Sequence, residues 1–215
     1  MVDFNLMRAA MIDGQLRTSG VTNPRVLAPM RRMPRENFVI SRCRDTAYID
    51  DVQWLGAGRF MGAPATLGKM LQLAEIAETD TVLDIGAGTG YSTAVIAGIA
   101  QAVIGLEQNA TLAATATTNL SDLDITNASV IVGDVTALGA VQFDVVIVQG
   151  ALDTVPHNFL AHLAPGGRLV ALIRAGAVAT AHVYVNAGHK VTSRSEFNAY
   201  LPPLFAPPAK EEFVF

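Results

Sequence analysis

The clearest structural signal in the chain is the segment Val82-Leu83-Asp84-Ile85-Gly86-Ala87-Gly88-Thr89-Gly90-Tyr91. It joins a short apolar run, Thr81–Ile85, which predicts a strand, to Ser92–Ala100, which predicts a helix. Glycines at such a junction let the backbone turn sharply and let a ligand lie close against it. In open α/β sheets, ligands bind beyond the carboxyl ends of the strands, which is where this loop falls.

Downstream of the loop, apolar segments typical of strands alternate with segments typical of helices. The predicted strands are Ala102–Leu106, Ser129–Val132, Phe143–Val148 and Arg168–Ile173, and the predicted helices are Ala110–Leu120 and His157–Leu163. Two later strands, His182–Asn186 and Val191–Phe197, resemble an antiparallel hairpin at one edge. The alternation predicts a Rossmann-like α/β fold, a mostly parallel seven-stranded sheet with helices on both faces.

Upstream of the loop the pattern is helical. Helices are predicted over Asp3–Thr18, over Arg25–Met33 after an Asn23-Pro24 start, and from Pro64 to about Glu78, with residues 41–62 irregular. We therefore expect residues 1–78 to form an N-terminal helical segment with a substrate loop, packed on a domain of residues 79–215. The proline-rich tail, Leu201–Phe215, is expected to be an extended covering segment.

The glycine spacing separates two cofactor classes. A dinucleotide loop has the pattern G-x-G-x-x-G, which would place its third glycine at position 91, where this chain has Tyr91. Here the pattern is G-x-G-x-G after Asp84. S-adenosylmethionine has an amino-acid end and a sulfonium instead of a pyrophosphate, so an acidic residue beside the loop favours its binding. The loop predicts this cofactor, with Asp84, Gly86, Gly88 and Gly90 at its methionine end.

Two more acidic residues follow the next predicted strands. Glu107 comes 21 residues after Gly86 and could accept hydrogen bonds from both ribose hydroxyls. Asp134 could accept from the adenine amino group, with Val135 against the ring. The predicted cofactor-binding residues are Asp84, Gly86, Gly88, Gly90, Tyr91, Glu107, Gln108, Asp134 and Val135.

The order of motifs resembles the protein-L-isoaspartate O-methyltransferase family over nearly the whole chain. Arg35-Glu36-Asn37-Phe38-Val39 resembles that family's P-R-E-x-F-V segment, and Ala47-Tyr48-Ile49-Asp50-Asp51 its aromatic and acidic stretch. Val82–Tyr91 matches the cofactor loop, and Ala164-Pro165-Gly166-Gly167-Arg168-Leu169-Val170 matches L-x-P-G-G-R-L-V. Tyr200-Leu201-Pro202-Pro203-Leu204 resembles the F-V-P-L ending.

This resemblance implies an enzyme of protein repair, a transferase that methylates the α-carboxylate of L-isoaspartyl residues in damaged proteins. The ester then closes to a succinimide, which reopens partly to normal aspartate. A carboxylate is already ionised at pH 7 and needs no general base. Most of the acceleration is therefore expected from orienting the carboxylate in line with the sulfonium, and no catalytic residue is assigned.

The chain departs from the family pattern on the acceptor side. The family's T-I-S-x-P reads Phe60-Met61-Gly62-Ala63-Pro64, so Gly62 stands where the serine is taken to position the acceptor. The family's V-T-A-A reads Val148-Gln149-Gly150-Ala151. We expect Met61 and Gly62 to form a lid between cofactor and acceptor, with Gln149 as a further substrate residue, and isoaspartyl activity to be weakened or redirected.

Three alternatives stay open at this point. The protein could be a methyltransferase with another acceptor, or a cofactor-binding protein without isoaspartyl activity, and loss of the serine motivates both. A nicotinamide oxidoreductase is disfavoured by Tyr91 and by the lack of an evident proton-relay pair. The sequence leaves the oligomeric state open.

Composition narrows the remaining classes. The net charge is −4 with no basic block, which disfavours a nucleic-acid partner, and no apolar run is long enough to span a membrane. The single cysteine, Cys43, fits a cytoplasmic protein. The four histidines have no metal-binding spacing, so no metal is predicted and they are expected at surface or edge positions. Arg31, Arg32 and Arg35 are expected on a solvated helix face, and Trp54 either lines the substrate entrance or packs beneath it.

Overall fold

The computed structural model describes residues 2–154, 157–176 and 178–205. The N-terminal part contains helices α1 (Phe4–Met11), α2 (Pro24–Arg32) and α3 (Pro64–Ala74), and strands β1 (Gln53–Gly56) and β2 (Arg59–Met61). A π-helical turn, Ile12–Leu16, continues α1, and 3-10 turns cover Arg35–Asn37 and Ser41–Thr46. As predicted, Asn23 caps α2: its side chain accepts from the Arg25 N–H at 2.9 Å, with Pro24 in the first turn.

The remainder of the chain alternates strands and helices as predicted. The strands are β3 (Thr81–Ile85), β4 (Ala102–Glu107), β5 (Ala128–Val132), β6 (Phe143–Leu152), β7 (Leu163–Ala175), β8 (Val178–Asn186) and β9 (Val191–Ala199). The helices are α4 (Tyr91–Ala97), α5 (Ala110–Asp122) and α6 (His157–Leu160), and a 3-10 turn covers Val135–Leu138.

These seven strands form one sheet in the order β5-β4-β3-β6-β7-β8-β9. The pairs from β5 to β7 are parallel, and β8 and β9 add antiparallel strands at one edge. The predicted Rossmann-like fold class is confirmed. The chain order reverses between β3 and β6, so the loop after β3 lies at the switch point where such sheets bind ligands.

Apolar side chains of β6 divide the core between the two faces of the sheet. Val145 and Ile147 join a large cluster that also contains Met11 and Met30 of the N-terminal segment. Val146 and Val148 join a smaller cluster on the other face. This period-2 division follows from the pleat of a strand buried on both faces. The N-terminal helices therefore share the sheet's main core.

Two predictions for the N-terminal part are wrong. Residues 53–61 are not irregular but form an antiparallel hairpin, in which Trp54 pairs with Phe60 across the strands. The helix that begins at Pro64 ends at Ala74 rather than near Glu78. Glu75 adopts a left-handed conformation with φ of 49°, and Arg168 donates to the carbonyl oxygens of Ala74 and Glu75 at the helix end.

The described part of the tail covers the end of the sheet, as predicted, but it is not extended throughout. Pro203 makes a parallel bridge to Ala151 at the end of β6, and the chain bends at Leu204 and Phe205. The part of the predicted covering segment beyond residue 205 lies outside the described residues. Within the described part of the chain, no helix is long and apolar enough to cross a membrane.

Candidate functional site

The loop between β3 and α4 turns on three glycines with positive φ. Gly86, Gly88 and Gly90 have φ of 87°, 57° and 93°, a region that side chains with a Cβ rarely adopt. The N–H groups of Gly86 and Ala87 donate to the Leu106 carbonyl at 2.8 and 3.1 Å, which ties the loop to β4. The loop therefore presents backbone at the carboxyl edge of the sheet, as predicted.

Glu107 lies at the end of β4 directly beside this loop. Its carboxylate is almost fully buried and accepts from the N–H groups of Gly88 at 2.8 Å and Asn109 at 2.9 Å. The Arg59 guanidinium also binds it, with Nη2 at 3.0 Å and Nε at 3.3 Å from Oε2. The structure thus places Glu107 beside the glycine loop, already paired with a cation, and its contact with a ribose stays a prediction.

Gln108, Asp134 and Val135 lie together along a small cavity of about 20 Å³ that also reaches Gly86. Its walls include Leu106 and other apolar groups, which could contact an aromatic ring, but its volume is only about that of one water molecule. Asp134 is exposed, and hydrogen bonds from Thr136 lower the pKa of its carboxyl. This carboxylate therefore stays ionised and able to accept from an amino group at neutral pH.

Asp84 is less accessible than its predicted role suggests. Its carboxylate is fully buried and accepts from the hydroxyls of Ser92 and Thr93, both at 2.6 Å, and from the Gln149 amide at 2.7 Å. Burial raises the pKa of Asp84, and the three hydrogen bonds oppose that shift. Gln149 is thus bound to Asp84, and direct contact of Asp84 with a ligand stays a prediction.

A second small cavity, of about 20 Å³, lies on the acceptor side of Gly86. The predicted substrate residues Met61, Gly62 and Gln149 all line it, together with Tyr91. Gly62 has little free space beside it, because a Cβ at this position would lie 3.0 Å from Leu201 Cδ2. The structure therefore brings the predicted acceptor residues together and fills the place of a serine side chain.

Arg35 is the clearest correction to the sequence analysis. Instead of lying on a solvated face with Arg31 and Arg32, it is fully buried. Its guanidinium donates to the Ala47 carbonyl at 2.7 Å and to the Gly62 carbonyl at 2.6 Å. It also lies over the Tyr91 ring, 4.7 Å from its centroid. Arg35 therefore fixes the acceptor loop from behind, a role that its position beside exposed arginines did not indicate.

Neither Trp54 nor His162 lines the two cavities beside Gly86. Trp54 is 55% exposed and contacts Phe60 edge-on, so it does not pack beneath the loop. His162 is buried with Nδ1 2.8 Å from the Val141 carbonyl oxygen, whereas a surface or edge position was expected. Among residues 2–154, 157–176 and 178–205, no three His, Cys, Asp or Glu side chains are grouped to hold a metal ion.

The donor side matches S-adenosylmethionine in the chemistry of its residues: a glycine loop, a buried acid that could hold a ribose, and apolar groups beside Asp134 that could contact an adenine. The space over Gly86 is nevertheless filled. A Cβ on Gly86 would lie 2.6 Å from Leu204 Cδ1 and 2.8 Å from Arg59 Nη2. Sequence reasoning missed both residues. The residues suit the cofactor once these two side chains move aside.

Comparison with known proteins agrees with this assignment. The family model described as "Protein-L-isoaspartate(D-aspartate) O-methyltransferase (PCMT)" matches residues 7–204. A protein-L-isoaspartate O-methyltransferase of Koribacter versatilis is 41% identical over 172 residues, which cover 79% of this chain and 78% of that one. One of Trichlorobacter lovleyi is 36% identical over 173 residues, 79% of each chain.

A solved structure with the same fold comes from Plasmodium falciparum. It is described as a protein-L-isoaspartate O-methyltransferase in complex with S-adenosyl-L-homocysteine, with a TM-score of 0.78 and 19% identity. The match covers 95% of this chain and 99% of that one. With the family model spanning nearly the whole sequence, this chain belongs to the protein-L-isoaspartate(D-aspartate) O-methyltransferase family, whose methyl donor is S-adenosylmethionine.

Proposed function

We propose that this protein methylates the α-carboxylate of L-isoaspartyl residues in damaged proteins, at a lower rate than relatives that carry a serine at the position of Gly62. The observation that carries the proposal is the left-handed glycine loop beside the buried Glu107, within a match to the family model over residues 7–204. We further propose that it works in the cytoplasm, where Cys43, a free thiol, would stay reduced.

The predicted cofactor residues divide the donor site into three parts. The backbone of Gly86–Gly90 would hold the methionine end, Glu107 the ribose, and Asp134, Val135 and Gln108 the adenine. Bound S-adenosylmethionine supplies an electrophilic methyl group on a sulfonium. The two cavities flank Gly86 and lie on the sides where an adenine and an acceptor would be expected.

The protein's own contribution to the reaction is orientation. The buried Arg35 holds the Gly62 carbonyl, and in a trans peptide the Ala63 N–H then points the opposite way. Backbone N–H groups are the donors left to the acceptor loop once the serine hydroxyl is gone. They can hold a carboxylate in line with the methyl group, although with fewer hydrogen bonds than a loop with a serine.

A radiolabelled methyl-transfer assay with an isoaspartyl peptide tests the proposal, with the same peptide containing normal aspartate as the control. We expect turnover only with the isoaspartyl peptide. The variant Gly62→Ser restores the hydroxyl, and the double variant G62S/L201A also makes room for it beside Leu201. We expect the double variant to be faster than L201A alone by on the order of tenfold, the usual contribution of one positioned hydrogen bond.

Two results would contradict the proposal. Wild-type turnover as fast as that of the serine-restored protein would show that Gly62 does not weaken the activity. No turnover by any variant, with S-adenosylhomocysteine still bound, would favour a different acceptor or a binding function. The apolar lining of the acceptor cavity, which includes Phe60, Met61 and Leu67, is the observation that favours a different acceptor.

A further inference from the structure

The space over the glycine loop is occupied by two parts of this chain that lie far apart in sequence. Arg59 comes from the start of β2, and Leu204 comes from the tail. We propose that Arg59 and the segment Leu201–Leu204 form a latch that closes the donor cleft, and that the ribose of an incoming cofactor must displace it. The inference rests on the proposed donor site and adds a conformational control to it.

The Glu107 carboxylate has too few acceptor sites to bind Arg59 and a ribose at the same time. An ionised carboxylate offers about four lone-pair sites. Glu107 already accepts two N–H groups of Arg59 and the Gly88 N–H at Oε2, and the Asn109 N–H at Oε1. Two ribose hydroxyls can bind only if Arg59 leaves. Glu107 keeps the Gly88 and Asn109 N–H groups when Arg59 leaves, but a buried carboxylate that loses its cation is costly, so we expect the ribose hydroxyls to replace Arg59 directly.

The tail is fixed in the cleft by backbone hydrogen bonds. The Leu204 N–H donates to the Ala151 carbonyl, and the Ala151 N–H donates to the Pro202 carbonyl, both at 2.9 Å. Arg59 Nη1 donates to the Leu204 carbonyl at 2.7 Å, so the same guanidinium holds both Glu107 and the tail. Leu201 and Leu204 are 3% and 4% exposed. The two parts of the latch therefore support each other.

Two glycines in the acceptor motifs accommodate the tail. A Cβ on Gly150 would lie 2.7 Å from Leu204 Cα and 3.0 Å from Leu204 N, which are backbone atoms that cannot yield without moving the tail. A Cβ on Gly62 would lie 3.0 Å from Leu201 Cδ2. Both glycines stand in the segments where the sequence departs from the family pattern. The departures on the acceptor side and the seated tail are thus parts of one arrangement.

The cavities show where the latch acts. Gly86 borders both cavities, and each measures only about 20 Å³, the space of about one water molecule. Arg59 and Leu204 cover Gly86, over which the proposed donor site would place a ribose. With the latch closed, the donor cleft is therefore too small for the cofactor. If the closed form is preferred tenfold, the apparent affinity for cofactor falls about tenfold.

Calorimetric titration with S-adenosylhomocysteine tests the latch through binding alone. Arg59→Gln removes the ion pair with Glu107, and Gly150→Ala displaces the tail, and with it the Leu204 carbonyl that Arg59 binds, while leaving both side chains of the Arg59–Glu107 pair in place. Both variants should bind S-adenosylhomocysteine about tenfold more tightly than wild type. Arg25→Gln is the matched control, because it removes the same charge from an exposed pair with Glu78, and its affinity should not change.

Thermal unfolding without ligand gives a second readout. Both latch variants should melt at a lower temperature than wild type while binding more tightly, whereas general damage to the fold would lower both quantities. Equal or weaker binding by R59Q and G150A would overturn the latch and leave the donor site standing. No binding by wild type or by either variant would overturn the latch and the proposed function together.

Discussion

The environment of a single residue at this site can differ from that of its neighbours in sequence. Arg35 follows two exposed arginines within four positions, yet its guanidinium is buried and holds two backbone carbonyls from different segments. Burial lowers the pKa of Arg35, with the nearby Tyr91 opposing that shift. No carboxylate forms an ion pair with it among the described residues. Its contribution to stability therefore comes from the two backbone carbonyl groups to which it donates.

Replacing Arg35 should be costly for stability. In Arg35→Met the carbonyls of Ala47 and Gly62 lose their donor, and each buried unsatisfied group costs about 1–3 kcal/mol. We expect a loss of about 3 kcal/mol in the free energy of unfolding, measured by urea titration. Arg35→Lys should lose less, because an ammonium can still reach one of the two carbonyls.

Arg31→Met is the control for this prediction. Arg31 is about half exposed and pairs with Asp13 at the surface, so its loss should cost less than about 0.5 kcal/mol. An Arg35→Met protein as stable as the Arg31→Met protein would contradict the role given to the buried guanidinium.

At the scale of elements, the ends of helices and strands are held by charged side chains from elsewhere. Arg168 at β7 binds the carbonyls at the end of α3 and also Asp80, at 2.7 Å. Asp144 near the start of β6 accepts from the N–H and the hydroxyl of Thr81 at the start of β3, both at 2.8 Å. These contacts align the amino ends of the parallel strands and so set the level of the loop at their opposite ends.

The end of α3 offers a stabilising substitution. Glu75 has φ of 49°, and this left-handed conformation costs a residue with a Cβ about 1 kcal/mol. Glu75→Gly removes that strain and should raise the free energy of unfolding by about 0.5–1 kcal/mol. The control Glu78→Gly, at a position outside the left-handed region, should give no gain. Equal effects of the two substitutions in thermal melts would refute this explanation.

The hydrogen bonds from Thr81 to Asp144 predict a pH dependence of the free energy of unfolding. The hydrogen bonds from Thr81 lower the pKa of Asp144 below its ordinary value of about 3.9. The unfolded chain therefore takes up the proton first as pH falls. The contribution is complete above that ordinary value and is lost as pH falls through the folded-state pKa.

Asp84 acts in the opposite sense, because its pKa is raised in the fold and its contribution falls as pH rises above the ordinary value. In urea titrations from about pH 5 to about pH 3, Asp144→Asn should lose less stability than wild type. If Asp144→Asn lost as much stability as wild type over this pH range, the hydrogen bonds from Thr81 to Asp144 would not contribute to the pH dependence.

At the scale of the whole molecule, the N-terminal segment and the sheet share one core. Met30 of α2 is fully buried in the cluster that contains Val145 and Ile147 of β6. The latch adds a second connection, because Arg59 of the N-terminal hairpin binds both Glu107 and the tail. We therefore expect residues 1–78 and the remainder of the chain to unfold together.

Met30→Ala tests this cooperativity. It should cost about 2–5 kcal/mol, as other large-to-small core substitutions do. If the protein unfolds as one unit, amide hydrogen exchange at Val146 and Ile147 should become faster, and the increase in rate should correspond to the free energy of unfolding lost in the variant. Leu6→Ala, at a side chain that is 68% exposed, should leave exchange unchanged. Unaltered protection of β6 in the Met30 variant would show that the N-terminal segment unfolds by itself.

The sequence predicted the sheet well because its signals are local. The strand before Gly86 and the Asn23-Pro24 start of α2 each depend on neighbouring residues. The cofactor contacts assigned to Glu107 and the other donor residues stay predictions. The hairpin at residues 53–61 was missed because its strands are only four and three residues long. Arg35, Arg59 and Leu204 could not be found in this way, because their partners lie 12 to 145 positions away along the chain.

The hairpin also carries an intrinsic fluorescent probe of its own position. Trp54 is the single tryptophan, and it lies on the same hairpin as Arg59, edge-on to Phe60 at 5.7 Å between ring centroids. Indole emission depends on solvent and on neighbouring groups, and this indole is more than half exposed. A shift of the hairpin that withdraws Arg59 from Glu107 would change the surroundings of the ring. Ligand entry could then be followed in real time by intrinsic fluorescence, without a dye or a label.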